Sequence, residues 1–287
     1  MKITNANTRV FDSNTNQSQS VSNSVYVENS SDSHSPTSIV SNLMEPVKAK
    51  TSYTSTDIVL HSNFIAVEGF DGVGKTTLCK NLIANFKKFA NVEPHYCREP
   101  GSTEFSEQLR QLMFRYSDTI SDMTLILLMT ASRCELVHNI INHEAHTKYV
   151  ISDRYVYSTL AYQGSDNPDI INKIITTHKD YIHTLPRTVI FCHASPDILK
   201  QRISSRESNS ITEFDKKFFD KAIKIQDLLY KYINTNLFGI KPNVINVNTE
   251  LNPETMADYI AGTLQAIRKS NSMGMTYDIG ESYSPLS

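Results

Sequence analysis

The chain has 287 residues, with 28 lysines and arginines against 30 aspartates and glutamates and a formal net charge of -2. This balance excludes the strong positive field that non-specific binding of nucleic acid usually requires. The hydrophobic content of 39% is ordinary for a globular protein, and no uninterrupted apolar run approaches the roughly 20 residues that cross a bilayer. We therefore expect a soluble protein whose partners are neither nucleic acid nor a membrane.

Composition divides the chain into three segments. Residues 1–62 are dominated by Ser, Asn, Thr and Gln, as in SNTNQSQSVSNSV, and offer few aliphatic side chains for burial. Because such a segment cannot offset the entropy of ordering the chain, it is predicted to be a disordered leader. Residues 63–270 are predicted to form the folded domain, and residues 271–287 (from NSMGMTYDIG onward) are predicted to be a flexible C-terminal tail.

The cysteines and the leader bear on location. The four cysteines lie far apart with no C-x-x-C spacing, at Cys79, Cys97, Cys134 and Cys192. This spacing argues against a zinc site and a disulfide framework, and favours a reducing compartment. The leader lacks the apolar segment of a secretory signal and is poor in arginine. We expect a cytoplasmic protein, with export or import into an organelle through the leader as the alternative.

From Phe64 the sequence alternates between strand and helix patterns. FIAVEG is a short apolar run that ends in glycine, and the residues from Lys75 carry apolar side chains at helical spacing. Further strands are predicted at PHYC, KYVIS, RTVIFCH and NVINVN, and the longest helix at DMTLILLMTASRCELVHNIINHEA. Five strands that alternate with helices favour an α/β fold whose parallel sheet is covered on both faces.

A glycine-rich loop joins the first strand to the first helix. Gly69-x-x-x-x-Gly74-Lys75-Thr76 matches the P-loop pattern in the context that the pattern requires. Backbone N–H groups of such a loop and the start of the helix form an anion site, Lys75 would reach the β- and γ-phosphates, and Thr76 would bind Mg²⁺. The other ATP contacts are expected from Gly72, Val73 and Thr77. The alternative, a chance glycine-rich turn beside a surface lysine, does not account for the flanking strand and helix.

Three further motifs follow at fixed places along the predicted fold. CREPGST follows the second strand, MTASRCELV lies in the long helix, and ISDRYVYSTLAYQG spans the end of the third strand. Together with FIAVEGFDGVGKTT, they resemble the thymidylate kinases over about residues 63–268. The resemblance implies a three-layer P-loop NTPase fold with a five-stranded parallel sheet and a short lid. It also implies transfer of the γ-phosphoryl group of ATP to dTMP with Mg²⁺, in a homodimer packed through long helices.

Two arginines and an aspartate follow predicted strands. Phosphoryl transfer requires mainly that two anions are positioned and their charge neutralised, and open α/β sheets bind ligands at the carboxyl ends of their strands. The resemblance implies that Arg98 and Arg154 hold the acceptor phosphate and the transferring group. A surface ion pair with Glu99 or Asp153 is the alternative for either arginine. Asp153 is expected to help Thr76 hold Mg²⁺, although a strand-end aspartate can also cap a helix.

The resemblance also implies the contacts to the acceptor nucleoside. Asp71 would contact the sugar 3′-hydroxyl, and Arg133 would bind a thymine carbonyl. Tyr162 would exclude a ribose 2′-hydroxyl, while Thr159 and Gln163 would add polar contacts to the base.

Met129 departs from the family pattern. It lies one helical turn before Arg133, where the family usually has a phenylalanine stacked on thymine. Methionine can cover a ring with its polarisable sulfur, but it is more flexible and less flat. Met129 is therefore expected either in the base pocket or in the ordinary core. This departure keeps open a P-loop kinase that acts on another nucleotide or on a nucleoside.

The predicted lid also departs from the family pattern. Since Gly72-Val73 carries no arginine, the resemblance implies an arginine from the segment KQRISSRESNSITEF after the fourth strand. Arg202 and Arg206 are four residues apart on one helical face and are expected to close over ATP, with Arg206 also in catalysis. A solvent-exposed helix end is the alternative. The usual D-R-[IF]-E signature is not intact here, which keeps open a nucleotide-binding protein without activity.

Overall fold

The computed structural model describes residues 57–90, 93–205 and 222–285. Six parallel strands form one sheet in the order β2-β3-β1-β4-β5-β6. The strands are β1 Val59–Gly69, β2 His95–Arg98, β3 Val150–Asp153, β4 Thr184–His193, β5 Asn243–Asn248 and β6 Thr276–Ile279.

Helices flank the sheet. They are α1 Lys75–Ala90, α2 Glu104–Arg115, α3 Asp122–Leu136, α4 Val156–Thr159, α5 Pro168–Tyr181, α6 Pro196–Ser204, α7 Ala222–Asn234 and α8 Pro253–Ser270. Two π-helical turns extend these helices, Val137–Ile141 after α3 and Leu160–Gly164 after α4, and a last turn Asn142–Glu144 ends the α3 segment. π-helical turns of this kind are frequent at functional sites, and the second one contains the AYQG motif.

The centre of the sheet explains why the site lies where it does. Every residue from Phe64 to Phe70 is buried, so both faces of β1 are covered. The parallel register pairs Val67 with Asp153 in β3, and Asp153 with Arg98 in β2. Because the carboxyl ends of these neighbouring strands meet at one edge, the P-loop, the DRY motif and the REPG motif lie side by side, as predicted.

Described strands lie beyond the predicted boundaries of the folded domain at both ends. At the start, β1 begins at Val59 rather than at 63, and residues 1–56 of the predicted leader lie outside the described residues. At the end, β6 adds a sixth strand, paired with β5, within the segment predicted to be a flexible tail.

Contacts of the C-terminal segment with the domain explain why it is ordered. The Nδ2 atom of Asn246 donates to Asp278 at 2.8 Å. The ring of Tyr283 lies 5.3 Å from that of Phe191 and its hydroxyl donates to Asp227. A four-residue strand with two polar side chains has too short a pattern for periodicity to detect, so neighbouring strands and helices, rather than local sequence, determine its structure.

The long predicted helix is confirmed as α3 and its extension. By length and composition, Asp122–Glu144 would suffice to cross a membrane, and 44% of its most apolar window is buried inside the protein. Arg133 and Glu135 interrupt its apolar residues. Leu136 and Ile141 are fully buried against the rest of the domain, whereas Leu127 is 53% exposed. The helix is therefore only partly buried in the domain.

Candidate active site

The P-loop forms a tight turn around its own lysine. Gly72 and Gly74 have φ angles of 86° and 107°, a region that favours glycine. The Lys75 ammonium donates to the Phe70 carbonyl at 2.9 Å and lies 4.0 Å from a carboxylate oxygen of Asp71. Burial, together with the charge of Arg154, lowers the pKa of Lys75. Lys75 is thus a desolvated cation at the bottom of the loop, and an incoming phosphate would offer it stronger partners than a carbonyl.

A hydroxyl and a carboxylate meet at the start of α1. The Oγ1 atom of Thr76 donates to Oδ2 of Asp153 at 2.7 Å, as the strand register leads one to expect. Hydroxyl and carboxylate oxygens are ligands that Mg²⁺ prefers. Both residues line the same cleft as Lys75. The donor set therefore fits the predicted metal site.

Arg154 is held in an uncommon backbone conformation. Its φ angle is 78°, although it is not glycine, and its backbone N–H donates to the Val67 carbonyl at 2.9 Å. Its NH1 atom donates to the Gly69 carbonyl at 3.1 Å, and its NH2 atom donates to Asp71. Backbone strain of this kind persists where the surroundings fix it, often at functional sites.

The carboxylate of Asp71, inside the P-loop, is satisfied by three neighbours. Besides Arg154 and Lys75, the hydroxyl of Tyr162 donates to its Oδ2 at 2.9 Å, and the Tyr162 ring lies 5.3 Å from the Arg154 guanidinium. Burial alone would raise the pKa of Asp71, but the charges of Arg154 and Lys75 hold it below its ordinary value. The structure thus brings Asp71, Arg154 and Tyr162 together, next to the P-loop and close to the residues predicted to bind the acceptor nucleotide.

Two predicted phosphate-binding arginines line the same cleft as the P-loop. The cleft has a volume of about 580 Å³, and both Arg98 and Arg154 line it. Arg98 is half exposed and forms its ion pair with Glu107, at 3.0 and 3.2 Å, rather than with Glu99 or Asp153 as the alternative had it.

Arg110 in α2 is a cleft residue that sequence reasoning missed. It lines the cleft, and its NH1 atom donates to the Pro100 carbonyl at 2.9 Å. Burial and the positive charges of Arg98 and Arg154 lower the pKa of Arg110, as expected where guanidinium groups lie near one another. The sequence signal that could have indicated Arg110 is its position on the helix that follows CREPGST, three residues after Glu107.

Arg202 contacts the P-loop from α6. From α6, its NH1 atom donates to the Val73 carbonyl at 2.9 Å and to Oγ1 of Thr249 at 3.0 Å, and its NH2 atom donates to the Thr249 carbonyl at 2.8 Å. It lines the cleft. Arg202 is therefore anchored to the P-loop rather than exposed at a helix end. The other predicted lid arginine, Arg206, lies outside the described residues.

The predicted base-binding residues form a separate, more closed group. Arg133 is only 3% exposed, and it donates to Glu99 from Nε at 2.8 Å and to Thr159 from NH2 at 3.0 Å. Met129 and Gln163 are half-buried. Neither they nor Arg133, Thr159 and Tyr162 line the cleft, although Glu99 does.

Glu99 is the buried partner that sequence reasoning missed. Burial raises its pKa to about 7, although Arg133 opposes the shift. One of its oxygens, Oε1, is buried with no hydrogen-bond partner in the part of the chain that the structure describes. Oε1 is thus a hydrogen-bond acceptor of the buried Glu99–Arg133 pair that could still bind a donor.

One cleft therefore joins a P-loop to a cluster of arginines at the carboxyl edge of a parallel sheet. This combination defines a P-loop phosphotransferase with places for two phosphorylated ligands.

Comparison with known proteins identifies the family. A family model described as thymidylate kinase matches residues 67–250. The thymidylate kinase of Buchnera aphidicola is 31% identical over 195 residues, which cover 66% of this chain and 88% of the relative. That of Vibrio parahaemolyticus is 29% identical over 214 residues, 72% of this chain and 97% of the relative. The chain belongs to the thymidylate kinase family.

A solved structure supports the fold. The crystal structure of thymidylate kinase from Ehrlichia chaffeensis aligns with a TM-score of 0.52 and 24% sequence identity, covering 70% of this chain and 97% of the other. The predicted P-loop fold is thereby confirmed, with six strands instead of five.

Proposed function

We infer that this chain is a thymidylate kinase, which transfers the γ-phosphoryl group of ATP to dTMP and yields dTDP and ADP, a step in deoxynucleotide synthesis. The observation that carries this inference is that Lys75 of the P-loop and the three arginines Arg98, Arg110 and Arg154 line the same cleft, in a chain of this family. A triphosphate on one side and a monophosphate on the other would then bring their phosphorus atoms into line.

ATP, the phosphoryl donor, is proposed to be held by backbone N–H groups of the P-loop and by Lys75. The ATP phosphates would bind the N–H groups from Gly72 to Thr77, and Lys75 would leave the Phe70 carbonyl for the β- and γ-phosphate oxygens. Arg202 and Arg206 are proposed to contact the rest of ATP, and Arg206 also the transferring group. For Arg202 the support is its bond to the Val73 carbonyl.

Mg²⁺ is proposed to enter with ATP. Thr76 and Asp153 would hold it, directly or through water, in place of the hydrogen bond that now joins them. When bound, the ion would neutralise part of the phosphate charge.

The acceptor side is proposed to depend on arginines. Arg98, Arg110 and Arg154 would hold the dTMP phosphate, since guanidinium groups can form paired bonds to phosphate oxygens. Transfer would be direct and in line, without a covalent enzyme intermediate, with Lys75 and Arg154 neutralising charge that develops on the transferring group. For Arg98, phosphate would take the place of Glu107 at NH2, the nitrogen that makes both of its bonds to that carboxylate.

The nucleoside of dTMP is proposed to lie beyond the phosphate. Asp71 would accept a hydrogen bond from the 3′-hydroxyl, and Tyr162 would exclude a 2′-hydroxyl. Arg133 would meet a thymine carbonyl from NH1, because its bonds to Glu99 and Thr159 use Nε and NH2. Met129, Thr159 and Gln163 are proposed to complete the base pocket.

A panel of acceptors with purified protein, ATP and Mg²⁺ tests this function. We expect ADP to form fastest with dTMP, and the Lys75→Ala variant, prepared identically, to show that no contaminating kinase contributes. Faster turnover of dCMP or dGMP would assign another nucleotide, and turnover of thymidine would assign a nucleoside kinase. Tight binding of ATP without ADP formation in the presence of dTMP would show a protein without activity.

We also propose that the chain is a homodimer, packed through α2 and α3. These helices pack against each other and expose large apolar side chains, Phe105 at 51% and Leu127 at 53%. An apolar patch formed by such side chains would suit an interface between two copies of the chain.

Light scattering after size exclusion tests the dimer. We expect Leu127→Glu to convert a dimer into a monomer, and Tyr259→Glu, at a residue 63% exposed in α8, to leave the dimer intact. A monomeric parent protein, or a Leu127→Glu variant that remains dimeric, would reject this interface.

A cytoplasmic location is proposed as well. All four cysteines are free thiols, which suits a reducing compartment. The alternative, export or organellar import, depends on leader residues outside the described ones.

A further inference from the structure

We propose that Glu68 and Ser158 are positioning residues that act through Arg154: the buried carboxylate orients the serine hydroxyl, and the hydroxyl holds the guanidinium. The proposal rests on the proposed role of Arg154 in phosphoryl transfer. Neither residue lines the cleft itself.

Glu68 is fully buried in β1, immediately before the P-loop. Its Oε1 atom accepts from the backbone N–H groups of Tyr155 at 2.9 Å and Ser158 at 3.2 Å. Its Oε2 atom accepts from the Ser158 hydroxyl at 2.5 Å. Glu68 thus reaches Arg154 through the Ser158 hydroxyl.

The direction of these hydrogen bonds follows from the groups present. An ionised carboxylate only accepts, and a guanidinium only donates. The single hydroxyl proton of Ser158 therefore goes to Glu68, and its lone pairs remain for the NH1 atom of Arg154, which lies 2.9 Å away. The hydroxyl is thus fixed in one orientation, whereas a hydroxyl without the carboxylate could rotate.

Arg154 needs such support on both its backbone and its side chain. Arg154 lies between β3 and α4 and has a strained φ angle. The Glu68 carboxylate accepts hydrogen bonds from the backbone N–H groups of Tyr155 and Ser158, and these bonds fix the segment that follows Arg154. On the side chain, Ser158 and the Gly69 carbonyl hold NH1 while Asp71 holds NH2. If Asp71 also accepts a hydrogen bond from the 3′-hydroxyl, as proposed, Ser158 is the second side chain that holds the guanidinium in place.

The electrostatics agree with this arrangement. Burial raises the pKa of Glu68, and the hydrogen bond from Ser158 and the charge of Arg154 oppose that shift. The serine thus helps keep the carboxylate ionised, which in turn keeps the hydroxyl proton directed away from the arginine.

A double-mutant cycle on kcat, with dTMP and ATP saturating, tests the proposal. We expect Ser158→Ala to lower kcat about tenfold, as the loss of one oriented hydrogen bond in the transition state would, with little change in the KM for dTMP. Ser158→Thr, which keeps the hydroxyl, should recover most of this loss. The melting temperature of each variant should stay near that of the parent, and Ser117→Ala, at a half-buried serine between α2 and α3, should leave kcat unchanged.

The Arg154→Ala variant serves to test the positioning role of Ser158 separately from the catalytic role of Arg154. If Ser158 acts through Arg154, Ser158→Ala should have no further effect on kcat in that background. The same tenfold loss in both backgrounds would overturn the positioning role, as would an Ser158→Ala enzyme with full activity. Full activity of Arg154→Ala alone would instead remove Arg154 from the mechanism, which is a failure of the proposed function.

Discussion

Lys75→Ala is expected to lower kcat for dTMP phosphorylation by a factor on the order of 10² or more, because it removes a charged contact to the transition state. Lys75 is only 6% exposed, so its charge acts on phosphate oxygens with little screening by water. Steady-state kinetics with dTMP saturating and ATP varied would measure the effect.

The fold should survive this substitution. Lys75 is a desolvated cation, and its neighbour Asp71 retains hydrogen bonds from Arg154 and Tyr162 when the lysine is absent. Lys80→Ala is the matched control, since Lys80 is exposed on the same helix and should be replaceable without effect. Turnover near that of the parent enzyme in a folded Lys75→Ala protein would exclude Lys75 from catalysis.

Arg133→Met is expected to lower the free energy of unfolding by about 3 to 5 kcal/mol, the range typical when one partner of a buried ion pair is removed. Glu99 would keep its burial and lose its cation, so its pKa, already about 7 in the intact pair, would rise further. Urea unfolding followed by circular dichroism would measure the change.

The loss of stability should depend on pH. Between the ordinary carboxyl pKa and the raised folded value, the folded variant binds a proton that the unfolded chain releases, so stability falls as pH rises through this window. The free energy of unfolding of the variant should thus be lower at pH 8 than at pH 5. The double variant Glu99→Gln, Arg133→Met should regain most of the stability at pH 8. An equal loss at both pH values would show that Glu99 is not the cause.

Much of the site could be predicted because its parts are contiguous in sequence. The P-loop and the DRY motif each encode a local backbone shape, and parallel strand pairing then brings Thr76 and Asp153 to 2.7 Å. A resemblance in the motifs supplied the roles, and the family match agrees with the function assigned. The five predicted strands are all present: β1, β3, β4 and β5 are largely buried, whereas β2, at the edge of the sheet, is only partly buried.

The rest could not be predicted because it depends on contacts between distant segments. No local pattern pairs Arg98 with Glu107 instead of Glu99, or shows that Arg133 is tied to Glu99 from 34 residues away. Arg110 belongs to the cleft only because of how α2 packs. Strand β6 is likewise stabilised by β5 and by contacts of the segment that follows it.

In the proposed mechanism, one cleft aligns two phosphorylated ligands between the P-loop and the arginines at the sheet edge. A crystal structure with a non-hydrolysable ATP analogue, Mg²⁺ and dTMP would test this alignment. We predict that Lys75 contacts the β- and γ-phosphates and that the dTMP phosphate binds Arg98, Arg110 and Arg154, in line with the γ-phosphorus. A complex in which Lys75 still faces the Phe70 carbonyl, or in which dTMP lies away from these arginines, would contradict the account.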